Sequence, residues 1–449
     1  MSVYAELKAM LAPFGQEHLL NGWDTLSPEE QNTLAGEIRS QDFETLNKLY
    51  AEHAGKASDS HPENDEFSPM PFSLAEEDPR REMWEETGNL LLEKGEAAAF
   101  LVAGGQGSRL GFEGPKGAFD IGLPSKKSIF QIQAERLLYL SSRAGRSIPW
   151  CIMTSPLNHE ATLEHFESHR FFGLERDSVR FFPQGMICAL DENGKALKSS
   201  AGHLALVPDG NGGCFQALAR SGSLAWLMEK GVRYVFLYSV DNILVKVCDP
   251  AFIGFLAGDA ASASASKAVE KRSAEEKVGV FGYKNKKPAV IEYSDLSAAL
   301  RDAKLSGGNL AFASGNIAVH LFRIEALKKL EHSPLPWHSA RKSAFGFSNV
   351  WKFEQFLFDA FPLLGSMKLF GVLREKEFAP VKNAEGADSP KSAREMLGAL
   401  HREWLSRAGA PVKTGKLYEI SPRLSYAGEG LSKALFEREL GKDILEFEE

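Results

Sequence analysis

Two cations stand inside a glycine-rich stretch of the chain, Arg109 and Lys116. The stretch, residues 100–135, reads FLVAGGQGSRLGFEGPKGAFDIGLPSKKSIFQIQAE. Gly104, Gly105, Gly107 and Gly111 fall close together at its start. Glycines let a backbone turn tightly and bring its N–H groups up to an anion, and Arg and Lys add the charge that backbone dipoles lack. The chemistry this suits is the binding of phosphate. The spacing Gly105-x-Gly107-x-x-x-Gly111 misses the dinucleotide pattern by one residue, and no Gly-Lys-Ser/Thr follows as a Walker loop requires. A phosphate loop of another kind is expected.

Four further clusters bear on chemistry. In Phe181-Phe-Pro-Gln-Gly-Met186, the amide of Gln184 can donate to and accept from a planar base, or simply serve a turn. Pro208-Asp-Gly-Asn-Gly-Gly213 is a flexible loop ahead of a helix; its N–H groups suit a sugar or base, or an ordinary turn. Ser239-Val-Asp-Asn242 ends an apolar run with a carboxylate. Asp241 suits Mg²⁺ shared with substrate phosphates, or a helix cap. Lys382 follows the mixed-charge run 373–378, which reads as a solvated face unless Lys382 reaches a phosphate. His165 and His169 share a helix face, but HFESH is not HExxH and no third ligand is evident. No Ser/His/Asp or Cys/His arrangement is suggested.

These residues need a scaffold, and the pattern supplies one. Residues 1 to about 50 read as helices, with Ser27-Pro28-Glu29-Glu30 as a start signal. Residues 52–82, rich in Ser, Pro, Asp and Glu, read as a linker or an extended strap over the surface. From residue 93, strand-like runs (97–103, 149–154, 179–182, 233–240) alternate with helical ones (128–142, 158–168, 213–229, 250–257). Such alternation predicts an α/β domain with a largely parallel sheet, whose ligands sit at the C-terminal ends of strands. Residues 278–293 read as a hairpin turning at Asn285-Lys286-Lys287, and residues 391–407 as a helix. The divisions expected are 1–92, a helical segment and linker; 93–383, the catalytic domain; and 384–449, a small C-terminal domain.

Composition agrees with a soluble protein of two or three domains: 449 residues, formal net charge −8, four widely spaced cysteines. The acidic balance argues against nonspecific nucleic-acid binding. No zinc spacing appears, and no apolar run approaches the roughly 20 residues of a membrane span, so a reduced, cytoplasmic protein is expected.

Taken in order, the motifs resemble those of the eukaryotic-type UDP-N-acetylhexosamine pyrophosphorylases over nearly the whole chain. The resemblance rests on GQEHLL, LVAGGQGSRLG, PKGAFDIGLPSKKSIFQIQAERL, FFPQGM, PDGNGG, YSVDNILVKVCDPAFIGF, IEYSDLS, ASGNIAVH, VLREKEFAPVKNA and ISPRLSYAGEG. It implies a Rossmann-like (GT-A-like) nucleotidyltransferase fold with a mixed, mainly parallel sheet. It also implies uridylyl transfer from UTP to N-acetylglucosamine 1-phosphate or N-acetylgalactosamine 1-phosphate, with release of pyrophosphate. By the same resemblance Gly104 and Gly105 lie against the uridine, and Arg109 and Lys116 contact phosphates. Gln184 reads uracil with help from the loop of Gly210, Asn211 and Gly212, and Asp241 holds Mg²⁺, or Mn²⁺. Gly279, Glu292 and Asn316 hold the sugar, and Lys382 stands near its phosphate. Pro183, Leu206 and Asp295 depart from the usual motif, which leaves the sugar open. The rival readings are a UTP–glucose-1-phosphate or broad UDP-sugar pyrophosphorylase, a glycosyltransferase, and an inactive nucleotide-sugar sensor. A monomer or weak homodimer is expected, with no nucleic-acid or membrane partner.

Overall fold

The computed structural model describes residues 2–53 and 65–447, so part of the expected linker, residues 54–64, lies outside the described residues. The chain forms two compact units.

The first unit joins the described residues of Met1–Asp65 to Gln184–Cys214 and Pro334–Ala360. Its helices include Val3–Leu11, Pro28–Ser40 and Phe43–His53. The second of these starts at the expected signal. Glu30 N–H donates to the Ser27 hydroxyl while Ser27 N–H donates to the Glu30 carboxylate, and Pro28 takes the first helical position. Leu34, Ile38, Phe43, Leu46 and Leu49 are buried, as their spacing requires. They share a core with Ile187, Leu204, Val350 and Phe353, from segments far away in sequence.

The second unit holds Glu66–Pro183, Phe215–Ser333 and Phe361–Glu449. Its centre is a ten-stranded mixed sheet. The strands are β1 (Phe67–Pro69), β2 (Ala97–Val102), β3 (Trp150–Thr154), β4 (Val179–Pro183), β5 (Tyr234–Ser239), β6 (Ser264–Glu270), β7 (Val280–Lys284), β8 (Lys287–Ile291), β9 (Ser314–Arg323) and β10 (Met367–Gly371). Their order is β1-β7-β9-β5-β2-β3-β4, with β6 between β9 and β10 and β8 beside β7. The run β5-β2-β3-β4 is parallel throughout. β2, β3 and β5 are almost wholly buried, as strands covered on both faces are, whereas the edge strand β4 carries Arg180 and is partly exposed. From β5 outwards, β9, β7 and β1 join antiparallel. The β7–β8 hairpin turns at Asn285 and Lys286, both with positive φ, as the sequence predicts. Within the expected strap, β1 pairs with β7 and Leu74 bridges to Gly371, so the described part runs along the sheet.

One reading changes on contact with the structure. The helix expected at 213–229 is two, Cys214–Arg220 and Ser223–Glu229, because Gly222 takes a left-handed conformation between them. The locally simple Ser262-Ala-Ser-Ala-Ser266 leads through β6 into a buried ion cluster. The ammonium of Lys267, fully buried, lies 2.6 Å from carboxylate oxygens of both Asp249 and Glu377. A buried cation requires such partners. Burial pushes the Asp249 carboxyl up, and Lys267, Lys246 and Arg81 outweigh it, so this acid stays ionised.

The long helix Pro390–Arg407 is capped by the Ser389 hydroxyl and packs its Leu397 and Trp404 into the same core as Tyr418 and Ile444 of a two-stranded sheet.

Candidate active site

The parallel strands β2 and β5 pair with Val102 opposite Ser239, so the segments that follow them leave the sheet at the same edge. One segment is the glycine loop and the other carries Asp241. The loop folds back on itself. Gly107 N–H donates to Gly114 O (3.0 Å) and Lys116 N–H to Gly105 O (3.2 Å), which sets Lys116 beside Gly105. Its glycines differ in purpose. A Cβ on Gly105 would meet nothing within 4 Å, an open face a ligand can approach, whereas one on Gly107 would lie 2.7 Å from the Phe112 ring. Arg109, on a single turn of 3-10 helix (Ser108–Leu110), is exposed.

The Asp241 segment is held from three sides. Val381 N–H donates to Asp241 O (2.9 Å) and Ile243 N–H to Ala379 O (3.1 Å), which brings Lys382 next to Asp241. Asn242 stitches the same two segments, donating to Glu377 O (2.7 Å) and accepting from Ala379 N–H (3.0 Å). Beneath them the buried guanidinium of Arg136 donates to Ile243 O (2.7 Å) and Val245 O (2.6 Å). No helix begins at Asp241, so the cap reading of that residue falls away; the next helix starts at Pro250 on its own cap, Asp249.

Four charged residues expected from sequence therefore meet. Burial pushes the half-buried Lys116 ammonium below the ordinary lysine range; the Asp241 carboxylate opposes this, and Lys382 and Arg109 add to it. Asp241, Lys382 and Arg109 all act electrostatically on Lys116, and a cationic excess of this kind suits a polyanion.

The expected sugar residues also meet. Asn316 N–H donates to Gly279 O (2.8 Å), and a Cβ on Gly279 would lie 3.1 Å from the Glu292 carboxylate. Burial, with Asp295 nearby, pushes the Glu292 carboxyl up. The β9–β5 ladder ends at Val319 opposite Tyr238. Asn316 continues three residues past that end in the direction in which Asp241 continues past Tyr238.

Gln184, Gly210, Asn211 and Gly212 belong to the first unit. A short ladder (Met186–Cys188 with Leu206–Pro208) and the bond from Asp209 N–H to Gly185 O (3.2 Å) bring the two base-reading candidates together. The glycines are needed: Cβ atoms on Gly210 or Gly212 would run into the backbone around Gln355. The Asn211 side chain accepts from Leu357 N–H (2.9 Å), so it fastens the loop.

Sequence reasoning missed Arg136, Gln355 and Asn158; they act through backbone carbonyls or close approach, which no motif records. His165 and His169 have rings 4.4 Å apart, and burial followed by His169 pushes His165 down to about 4, so it is neutral at pH 7. Among the described residues no three His, Cys, Asp or Glu side chains converge on one point. Asp241 presents one carboxylate at this strand end, a donor that would suit Mg²⁺ shared with substrate phosphates.

A parallel sheet with a cationic glycine loop at one strand end and a carboxylate at the next defines a nucleotidyltransferase. The comparisons narrow the class. Residues 41–397 match the UTP–glucose-1-phosphate uridylyltransferase family. The chain is 39% identical to UDP-N-acetylglucosamine diphosphorylase 2 of Arabidopsis thaliana, over 96% of this chain and 91% of that one. It is 39% identical to UDP-N-acetylglucosamine pyrophosphorylase of Saccharomyces cerevisiae, over 95% and 96%. The crystal structure of uridine diphosphate N-acetylglucosamine pyrophosphorylase from Trypanosoma brucei superposes with a TM-score of 0.84 at 29% identity, covering 98% of this chain and 95% of that one. The chain belongs to the UTP–glucose-1-phosphate uridylyltransferase family and is a UTP:sugar-1-phosphate uridylyltransferase.

Proposed function

We propose that the sugar is an N-acetylhexosamine, N-acetylglucosamine 1-phosphate foremost, which with UTP gives the UDP-sugar and pyrophosphate. The observation that carries the chemistry is that Asp241, Lys382 and Arg109 all lie close enough to act on the half-buried Lys116 ammonium. The relatives' names carry the choice of sugar. A sugar-phosphate oxygen attacks the α-phosphorus of UTP in line. It is already an anion, so no general base is required, and placement and charge stabilisation do the work. Arg109, with its planar fork, suits the departing pyrophosphate, Lys116 the α-phosphate and Lys382 the sugar phosphate. Gly104 and the open face of Gly105 admit the uridine, and Gln184, with Gly210 and Gly212, reads uracil. Gly279, Glu292 and Asn316 hold the sugar. Mg²⁺ or Mn²⁺ on Asp241 would neutralise phosphate charge. All four cysteines are buried, which suits the cytoplasm, and a monomer or weak homodimer is the assembly proposed.

A pyrophosphate-release assay with UTP and a panel of sugar 1-phosphates tests this. Turnover should be highest with N-acetylglucosamine 1-phosphate. A preference for glucose 1-phosphate would favour the second reading, the activity in the family's name. No pyrophosphate with any sugar would remove the proposal. Gln184→Ala should narrow the preference for UTP over CTP by about 10-fold or more, since a lost base-reading hydrogen bond leaves its partner unpaired. Unchanged nucleotide selectivity would take that role from Gln184.

A further inference from the structure

We propose that Asn158 is a positioning residue for the phosphate loop and, through Gly105, for Lys116; the proposal rests on the uridylyl-transfer reading above.

Asn158 stands just before the helix His159–Ser168, where an asparagine ordinarily caps the helix with its side chain. Here the side chain makes no cap bond. It turns instead to a loop from another strand. Its amide nitrogen donates to Ala103 O (3.0 Å) and Gly105 O (3.2 Å), and its oxygen accepts from Ser155 N–H (2.7 Å). The side chain is 1% exposed. The three partners fix which end is nitrogen, because two carbonyls demand donors and one N–H demands an acceptor. Among side chains of this length only an amide meets all three.

Gly105 O is the hinge of the argument. It takes the Asn158 amide from one side and Lys116 N–H from the other. The loop has a second anchor at Ala103, whose N–H donates to Met153 O (2.8 Å). Asn158 therefore ties the segment after β3 to the turn on which Lys116 hangs. Without it the Gly105 carbonyl loses a fixed partner, and the ammonium of Lys116 loses a fixed origin. A transition-state donor displaced by about 1 Å loses much of its effect, even when nothing that touches substrate has changed.

The test uses the full-length protein, the pyrophosphate-release assay and a double-mutant cycle. Asn158→Ala removes all three bonds. Asn158→Asp keeps shape and acceptor but removes both donors. Each is expected to lower kcat about 10-fold or more, with KM for UTP and for the sugar 1-phosphate changing less than about threefold. In a Lys116→Ala background the Asn158→Asp penalty should shrink at least about threefold, since the residue acts through the group already removed. The ratio of Asn158→Asp to wild-type kcat should also rise as pH falls, because a protonated carboxyl regains one donor. A kcat for Asn158→Asp within twofold of wild type, or an equal penalty in both backgrounds, overturns the proposal. Should both variants unfold, Asn158 is a framework residue and the proposal falls as well. A wild-type protein without turnover on any sugar 1-phosphate would instead sink the uridylyl-transfer reading, so the two failures are distinct.

Discussion

Lys116→Ala is expected to lower kcat by about 100-fold or more, the usual cost of removing one preorganised donor from a developing anion. The unfolding midpoint should move little, since the side chain is only half-buried. Arg109→Ala should behave alike and should also raise KM, because an exposed arginine can steer the polyanion. Lys116 further predicts a pH profile. Its ammonium is the active form, and burial, with Lys382 and Arg109 close by, makes it lose its proton below the ordinary lysine value near 10.4. In the free protein kcat/KM should therefore decline, as pH rises, before an unperturbed lysine would titrate. Bound phosphates favour the charged form, so the corresponding limb of kcat should lie at higher pH. Both limbs at the same pH, or near-normal turnover in Lys116→Ala, would show that Lys116 does not face the phosphates.

The parallel half of the second unit was legible because its strands are apolar runs bounded by glycine and helix signals. The run 233–240 announced β5 within a residue at each end. The antiparallel half was harder. β6 buries Ser264, Ser266 and Lys267; Asp249 and Glu377 hold Lys267 and His320 holds Ser266, all from outside the strand. The first unit posed the same difficulty: Ile187 and Phe353 complete the core of helices near residues 30 to 50, and nothing local says so. At the site, Arg109, Lys116 and the loop glycines stood out by type and spacing, whereas Gly279 and Glu292 followed only from the resemblance. The asparagines and the arginine that hold the site did not stand out. Asn158 looks like a helix cap and Asn242 like an appendage to Asp241, yet both are committed to backbone groups. Hydrogen bonds to main chain leave little trace in residue type.

Asp241 offers the sharpest single test, because two accounts of it diverge. Asp241→Asn keeps the shape and removes the charge. If the carboxylate holds Mg²⁺, kcat should fall about 100-fold or more and the Mg²⁺ concentration for half-maximal rate should rise steeply; saturating metal should not restore the rate. If Asp241 serves only to keep Lys116 charged, its removal lets Lys116 lose its proton at still lower pH, since the Asp241 carboxylate opposes the downward shift. Activity would then return on acidification, and the metal dependence would match wild type. Held at pH 7 and titrated with Mg²⁺, then held at saturating Mg²⁺ and titrated with acid, the variant separates the two. The metal role is the expected result: two phosphorylated substrates bring excess negative charge to the same strand ends, which a carboxylate can tolerate there only with a divalent cation between them.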